Sequence, residues 1–270
     1  MPPPRESVLE EAQQQLCGFA MGKGYKGKTC AYCGVPGSSE EPDHVLARGF
    51  FLDVEERRAG LPIVPACRPC NGDKGRLEHY LAQVLPFGGR HPDASLNLST
   101  MVPKRLAKNR AFAATLCQGM SPIWVRDPSG LIRRTSKITI DSDRFERWCG
   151  LVARGLAYFH WGTVLGPDCF VEVMVPTHAG EGYLNYMLSH RGAKRVWPQD
   201  LGRGTFVYEG LQGVDHPQVS AWRLAVYGGL VLSGHNSAVR SRIVGVLTGP
   251  PRVRERAARR VKWMEGRGAL

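Results

Sequence analysis

No uninterrupted apolar run of 18 residues occurs in this chain, and the opening Met1-Pro2-Pro3-Pro4-Arg5 has no apolar segment behind a charged start. Export and membrane insertion are therefore not expected, and a cytoplasmic setting is. Acidic residues are also scarce: 24 Asp and Glu stand against 36 Lys and Arg, a formal net charge of +12. A phosphate backbone is the commonest partner for that imbalance, so nucleic acid is the first partner to consider. Part of the excess is local, because residues 251–270 hold seven Lys and Arg against two Glu. That tail reads equally as a phosphate contact or a solvated terminal helix. Lys23, Lys26 and Lys28 alternate with glycines, which would let backbone and lysines approach a phosphate closely.

Cysteine, by contrast, is present in a pattern. Four of the eight fall in two knuckles, Cys30-x2-Cys33 and Cys67-x2-Cys70, separated by 33 residues. In a chain expected in a reducing compartment, this spacing suits one tetrahedral Zn²⁺ better than disulfides. The remaining Cys17, Cys117, Cys149 and Cys169 are single and read as packing thiols. Structural zinc contributes on the order of 10 kcal/mol in peptide systems, so the loop it closes would depend on it for folding.

The loop carries Asp43-His44-Val45, expected on a short strand entering a hairpin, where adjacent side chains point to opposite faces unless the strand ends or bulges. The second knuckle runs directly into Asn71 and Lys74, expected on one face of the first turn of a helix beginning at Asn71. A helix N-terminus beside a cation is a ready anion site.

Together Cys30, Cys33, Asp43-His44-Val45, the run Val64-Pro65-Ala66-Cys67-Arg68-Pro69-Cys70-Asn71 and Lys74 resemble the HNH endonuclease family, in its four-cysteine, zinc-containing branch with a ββα-metal core. The resemblance implies His44 as general base, Asp43 and Asn71 as ligands of a catalytic Mg²⁺ or Mn²⁺, and Lys74 on the scissile phosphate. The residue types suit those roles, since imidazole titrates near neutrality and hard oxygen donors suit Mg²⁺. The chain departs from the family at its middle asparagine: none lies between His44 and Asn71, and Pro62 takes that place. A backbone carbonyl is the expected substitute for orienting the His44 ring. His79, eight residues after Asn71, would stand about 12 Å further along the helix and is read as a packing or polar residue.

The expected fold is α+β: a zinc-stapled ββα-metal module followed by a helix packed on an antiparallel sheet. Residues 1–27 form an N-terminal helix, capped by Ser7 and Glu10, and a basic Gly/Lys loop. Residues 28–85 are the zinc and nuclease module, 86–102 a turn-rich linker, 103–250 an accessory domain, and 251–270 the tail. Within the accessory domain Pro103 opens a helix stopped by Gly119, with Lys104, Arg105 and Lys108 exposed. A hairpin turns at Asp127-Pro128-Ser129-Gly130, and a helix capped at Asp141 or Ser142 ends at Gly162. Strands follow in 170–175, 205–208, 221–232 and 243–247. The aromatic set around His160-Trp161, Glu209, Asp215-His216 and Trp222 reads as core more readily than as a nucleotide pocket.

Two function classes follow. One is a metal-dependent endonuclease on DNA, with RNA open because nothing tests for a 2′-hydroxyl, in a setting such as restriction or defence against foreign DNA. The other is a zinc-dependent nucleic-acid-binding protein. Lys23, Lys26, Lys28, Arg68, Lys104, Arg105 and Lys108 are the candidate phosphate contacts. A homodimer would explain double-strand cleavage.

Overall fold

The computed structural model describes residues 24–126, 130–176, 178–190, 192–230 and 243–251. Lys23, the expected N-terminal helix, residues 127–129 of the expected hairpin turn and the basic segment beyond Pro251 lie outside them.

Strands β1 (Glu41–His44) and β2 (Ile63–Ala66) pair antiparallel, with Asp43 opposite Val64 and His44 opposite Ile63. A 3-10 turn at Arg48–Phe50 and the short helix α1 (Glu55–Arg58) fill the connection. Helix α2 (Arg68–Gly88) leaves β2 directly, with Cys67 as its N-cap and Pro69 in its first turn, where proline's missing N–H costs nothing. It therefore starts three residues earlier than Asn71.

Residues 86–102 are not a linker. The chain breaks only at Gly89–His91, and helix α3 (Pro92–Lys108) follows, started by Pro92 and capped by His91, whose side chain accepts from the Asp93 N–H. Pro103 lies inside α3 rather than opening it. Asn109 interrupts the run and caps α4 (Arg110–Gln118), accepting from the Phe112 N–H at 3.1 Å. Gly119 ends α4, as expected.

Strands β3 (Ser121–Arg126) and β4 (Ile132–Lys137) form a two-stranded sheet of their own. Helix α5 (Ser142–Trp161) is capped by Asp141, which accepts from the Arg144 N–H, and ends at Gly162 in the left-handed region, φ 65°. Strands β5 (Phe170–Met174), β6 (Ala193–Leu201), β7 (Phe206–Gly213), β8 (Ser220–Val226) and β9 (Val244–Gly249) make an antiparallel sheet ordered β5-β9-β8-β7-β6. β6 and α6 (His178–Leu188) are additions to the sequence reading. β6 is an edge strand broken by a register shift between Val196 and Gln199, where Pro198 sits; both features discourage pairing with another chain.

The sheet has a helix on each face. Neighbouring residues of β8 divide between them: Trp222 joins the main core with α5, while Ala221 joins Leu184 and Leu188 of α6. Gly210 makes room for this, since a Cβ there would stand 2.3 Å from the Trp222 ring.

The two expected domains share one core. Its buried cluster runs from Cys30, Val45 and Phe50 through α5 to Phe206, Trp222 and Val246. Trp148 of α5 lies 5.2 Å from the Phe50 ring and 6.4 Å from Phe206. Buried Tyr227, held at φ 51°, donates its hydroxyl to the Phe50 carbonyl at 2.6 Å, while its own carbonyl accepts from Arg90 and His91. Such a backbone costs on the order of 1–3 kcal/mol and persists because its surroundings fix it.

Candidate metal centre

The two knuckles meet. The Sγ atoms of Cys30, Cys33, Cys67 and Cys70 all lie within 4.8 Å of one another, none of them in a disulfide. The Cys67 N–H donates to Cys30 Sγ at 3.4 Å. Burial pushes the Cys30 thiol up, but backbone N–H groups of Cys33, Cys67 and Tyr32 outweigh it and hold the thiol below its usual range. Burial raises Cys67 and Cys70, and for Cys70 the crowded neighbouring sulfurs add to it. Four thiols this close resist losing their protons together; a divalent ion such as zinc would take the place of those protons and balance the thiolate charge, so the donor set fits such an ion. Among the described residues no other group of three or more His, Cys, Asp and Glu side chains converges in this way.

Helix α5 closes this centre from outside the module. Gly155 passes so near Val45, the residue after β1, that a Cβ would stand 2.9 Å from both of its methyls. Arg154, one residue earlier, donates to the carbonyls of Leu165, Gly166 and Cys169. Burial lowers its pKa, while first Cys169 and then Cys70 oppose that. The sequence gives no local sign of this role: Arg154 lies 84 residues beyond Cys70 and looks like any polar position of an amphipathic helix.

Lys74 is not a phosphate contact. It is 0% exposed, with Nζ 3.0 Å from Asp43 Oδ2, 2.7 Å from Glu78 Oε1 and 2.7 Å from the His44 carbonyl. The i,i+4 spacing that brings Glu78 alongside, and the inward face of α2, turn it under β1 instead of toward solvent. The Tyr32 hydroxyl also donates to Asp43 Oδ2, and burial with Asp43 beside it holds the Tyr32 phenol well above its usual range. Glu78 additionally accepts from the Ala47 N–H and the Trp148 indole. Asp43 is thus clamped through one carboxylate oxygen, and Oδ1 takes no part in these contacts.

Asn71 faces Glu41, donating from Nδ2 to Oε1 at 2.8 Å. Glu41 lies two residues before Asp43 and so on the same face of β1. His44 is half-buried; its Nδ1 is buried without a hydrogen-bond partner, so no carbonyl replaces the missing asparagine. Its pKa is lowered, first by burial, then by Arg48, against a smaller opposing effect of Asp43. Arg48 is exposed, four residues after His44, and sequence reading passed it over.

The other basic candidates divide. Lys26, Lys104 and Lys108 are exposed. Lys28 stacks over Tyr25, and Arg68 pairs with Glu40 at 3.3 Å, both at the surface. Arg105 is no phosphate contact: it is half-buried and donates to the carbonyls of Ala82 and Gly49, bolting α3 to α2 and the 3-10 turn. His79 is exposed, apart from the quartet. The aromatic set is core, with His160 Nε2 3.0 Å from the Tyr208 hydroxyl and Trp161 stacked on Trp222, while Asp215 and His216 are exposed in a turn.

Comparison with family models, with curated proteins and with solved structures returns no match for this chain. What the fold and site define is a mixed α/β protein built on an antiparallel five-stranded sheet, with a four-cysteine centre suited to a metal ion such as zinc. No helix among the described residues is long and apolar enough to cross a membrane.

Proposed function

We propose that the protein is a metal-dependent endonuclease of the HNH type, hydrolysing phosphodiester bonds of DNA. The observation that carries this reading is the order β1, β2, α2, with Asp43-His44 ending the first strand, Asn71 in the helix and the cysteine quartet joining strand to helix. A structure built only to hold nucleic acid has no chemical need for an imidazole beside such a carboxylate. His44 takes the proton of the attacking water; with Nδ1 buried, Nε2 is the nitrogen that does so. Its lowered pKa keeps the ring neutral, and hence basic, to pH values below the usual imidazole range. Asp43 Oδ1 and Asn71 Oδ1 are the hard donors that would hold Mg²⁺ or Mn²⁺; Glu41 fixes the amide by taking its Nδ2. When bound, that ion supplies charge stabilisation at the phosphate. Lys74 acts one layer down, keeping Asp43 in place.

A second reading, a zinc-dependent nucleic-acid-binding protein with weak or no catalysis, is favoured by the unpartnered Nδ1, which leaves the base without a second hydrogen bond to orient it. Supercoiled plasmid incubated with Mg²⁺ or Mn²⁺ separates the two. Cleavage by the wild type, lost in a His44→Ala variant that keeps its zinc, is the expected result. Binding without cleavage by zinc-loaded wild type selects the second reading, and cleavage of RNA in place of DNA reassigns the substrate.

A further inference from the structure

The β3–β4 ribbon has no part in the site just described, yet its chemistry points outward. Trp124 is 70% exposed and Ile132 61%, on a two-stranded sheet that is separate from the rest. Trp124 stands directly opposite Arg134 in the register, so the two share a face, and Arg134 is exposed as well. Ile132, two residues from Arg134 along β4, falls on that face too. At the ribbon's base a shallow hollow opens, lined by Met120, Ser121, Pro122, Arg134 and Ser136.

Charge is distributed to match. Residues 104–137 carry eight Lys and Arg and one acidic residue, Asp127. Arg105 is used internally, but Lys104, Lys108 and Arg110 at the junction of α3 and α4, and Lys137 at the end of the ribbon, are exposed. A lone exposed tryptophan is ordinary, and a solvated basic helix is too. An exposed Trp-Arg pair on a free-standing ribbon, within a segment almost empty of acid, is a different combination. It offers cations to a polyanion and a flat apolar face to something that stacks.

We infer that the β3–β4 ribbon, with the basic α3–α4 junction before it, is a nucleic-acid-binding arm whose Arg134 contacts phosphate and whose Trp124 packs against bases. A two-stranded ribbon has the dimensions to enter the major groove of a duplex, and an aromatic ring can stack on an unpaired base whatever its identity. The arm begins at Ser121, 77 residues beyond His44 in sequence and outside the ββα unit, so it lengthens the footprint without taking part in hydrolysis. The inference takes its polymer from the proposed nuclease reading but stands on separate residues.

The test uses the full-length, zinc-loaded protein and a labelled DNA duplex and single strand of the same sequence, in a salt titration without Mg²⁺. Trp124→Ala, Arg134→Gln and their double variant are compared with wild type, with cleavage measured in parallel. The sites are exposed, so circular dichroism and zinc content should stay as in the wild type. Arg134→Gln is expected to flatten the slope of log affinity against log salt by about one unit per lost phosphate contact on duplex, and Trp124→Ala to weaken binding about tenfold with little change in slope. Greater loss on the single strand identifies base stacking as Trp124's contact, and greater loss on the duplex identifies groove insertion. Unchanged affinity and slope in the double variant, or no DNA binding by wild type, overturns the arm. Weakened binding by the variants of a protein that does not cleave keeps the arm and removes the nuclease reading; unchanged binding beside His44-dependent cleavage does the reverse.

Discussion

At the scale of single residues, Lys74 is a fully buried cation held on three sides. Buried between Asp43 and Glu78, it has surrendered its hydration, and removing it leaves two carboxylates without their cation. Breaking one partner out of a buried pair costs about 3–5 kcal/mol, far more than an exposed pair is worth. Lys74→Met should therefore lower the unfolding free energy obtained from a urea titration by an amount in that range, and adding Glu78→Gln should recover part of it. A loss below about 1 kcal/mol would mean Asp43 is held by Tyr32 alone. The pH dependence has a definite sign. Burial already raises the Glu78 pKa, and Lys74 opposes that. Without Lys74 the carboxyl rises further above its unfolded value, so it favours the folded state only where it is protonated. The variant's deficit should shrink as pH falls from neutrality toward the ordinary carboxylate range, and a deficit that is constant or grows contradicts the assignment. The Cys30, Cys33, Cys67 and Cys70 quartet was legible in the sequence because knuckle spacing is local. Lys74 was misread for the opposite reason: three residues from Asn71, it looked like a surface neighbour, and only the Glu78 and Asp43 side chains reveal which way it points.

At the scale of elements, local signals were read well and long-range ones were not. The Asp141 cap, the Gly162 stop and the Gly119 stop are carried by one residue each and occur where expected. The turn-rich run 86–92 misled because Pro92 looks the same in a loop and at the first position of a helix; the cap by His91 decides between them. β6 was missed because its buried positions are interrupted by the Trp197-Pro198 shift, which destroys simple alternation. The packing of α5 on Val45 was invisible for another reason, since Gly155 looks like a weak spot in a helix. Replacing it by alanine should gain about 1 kcal/mol of helix propensity, yet the new Cβ would meet both Val45 methyls at 2.9 Å. Overpacking costs about 1–3 kcal/mol, so Gly155→Ala should be destabilising or at best neutral, and Val45→Ala in the same chain should partly rescue it. Denaturant midpoints of the two single variants and the double decide this; a clearly stabilised Gly155→Ala would show that the helix and strand do not meet as described.

At the scale of the whole molecule, the question is whether the metal centre is an appendage or a keystone. A ββα unit of this size has little core of its own, and here its core is completed by α5, with Trp148 against Phe50 and Gly155 against Val45. A structural zinc can contribute about 10 kcal/mol, comparable with the roughly 5–15 kcal/mol that a folded domain has in total. If the centre is loaded and the core is continuous, withdrawing the ion cannot unfold the knuckles alone. Titrating zinc-loaded protein with a strong chelator should expose the quartet thiols together with buried Cys149 and Cys169 to an aromatic disulfide reagent, and abolish the near-ultraviolet circular dichroism of buried Trp148 and Trp222, in one shared transition. Cys67→Ser should reproduce that state without chelator. Reactive thiols in a protein whose near-ultraviolet signal and thermal transition persist would instead divide the molecule into a metal-dependent module and a sheet domain that stands without it, and the shared core would then be contact between two units rather than a single cooperative fold.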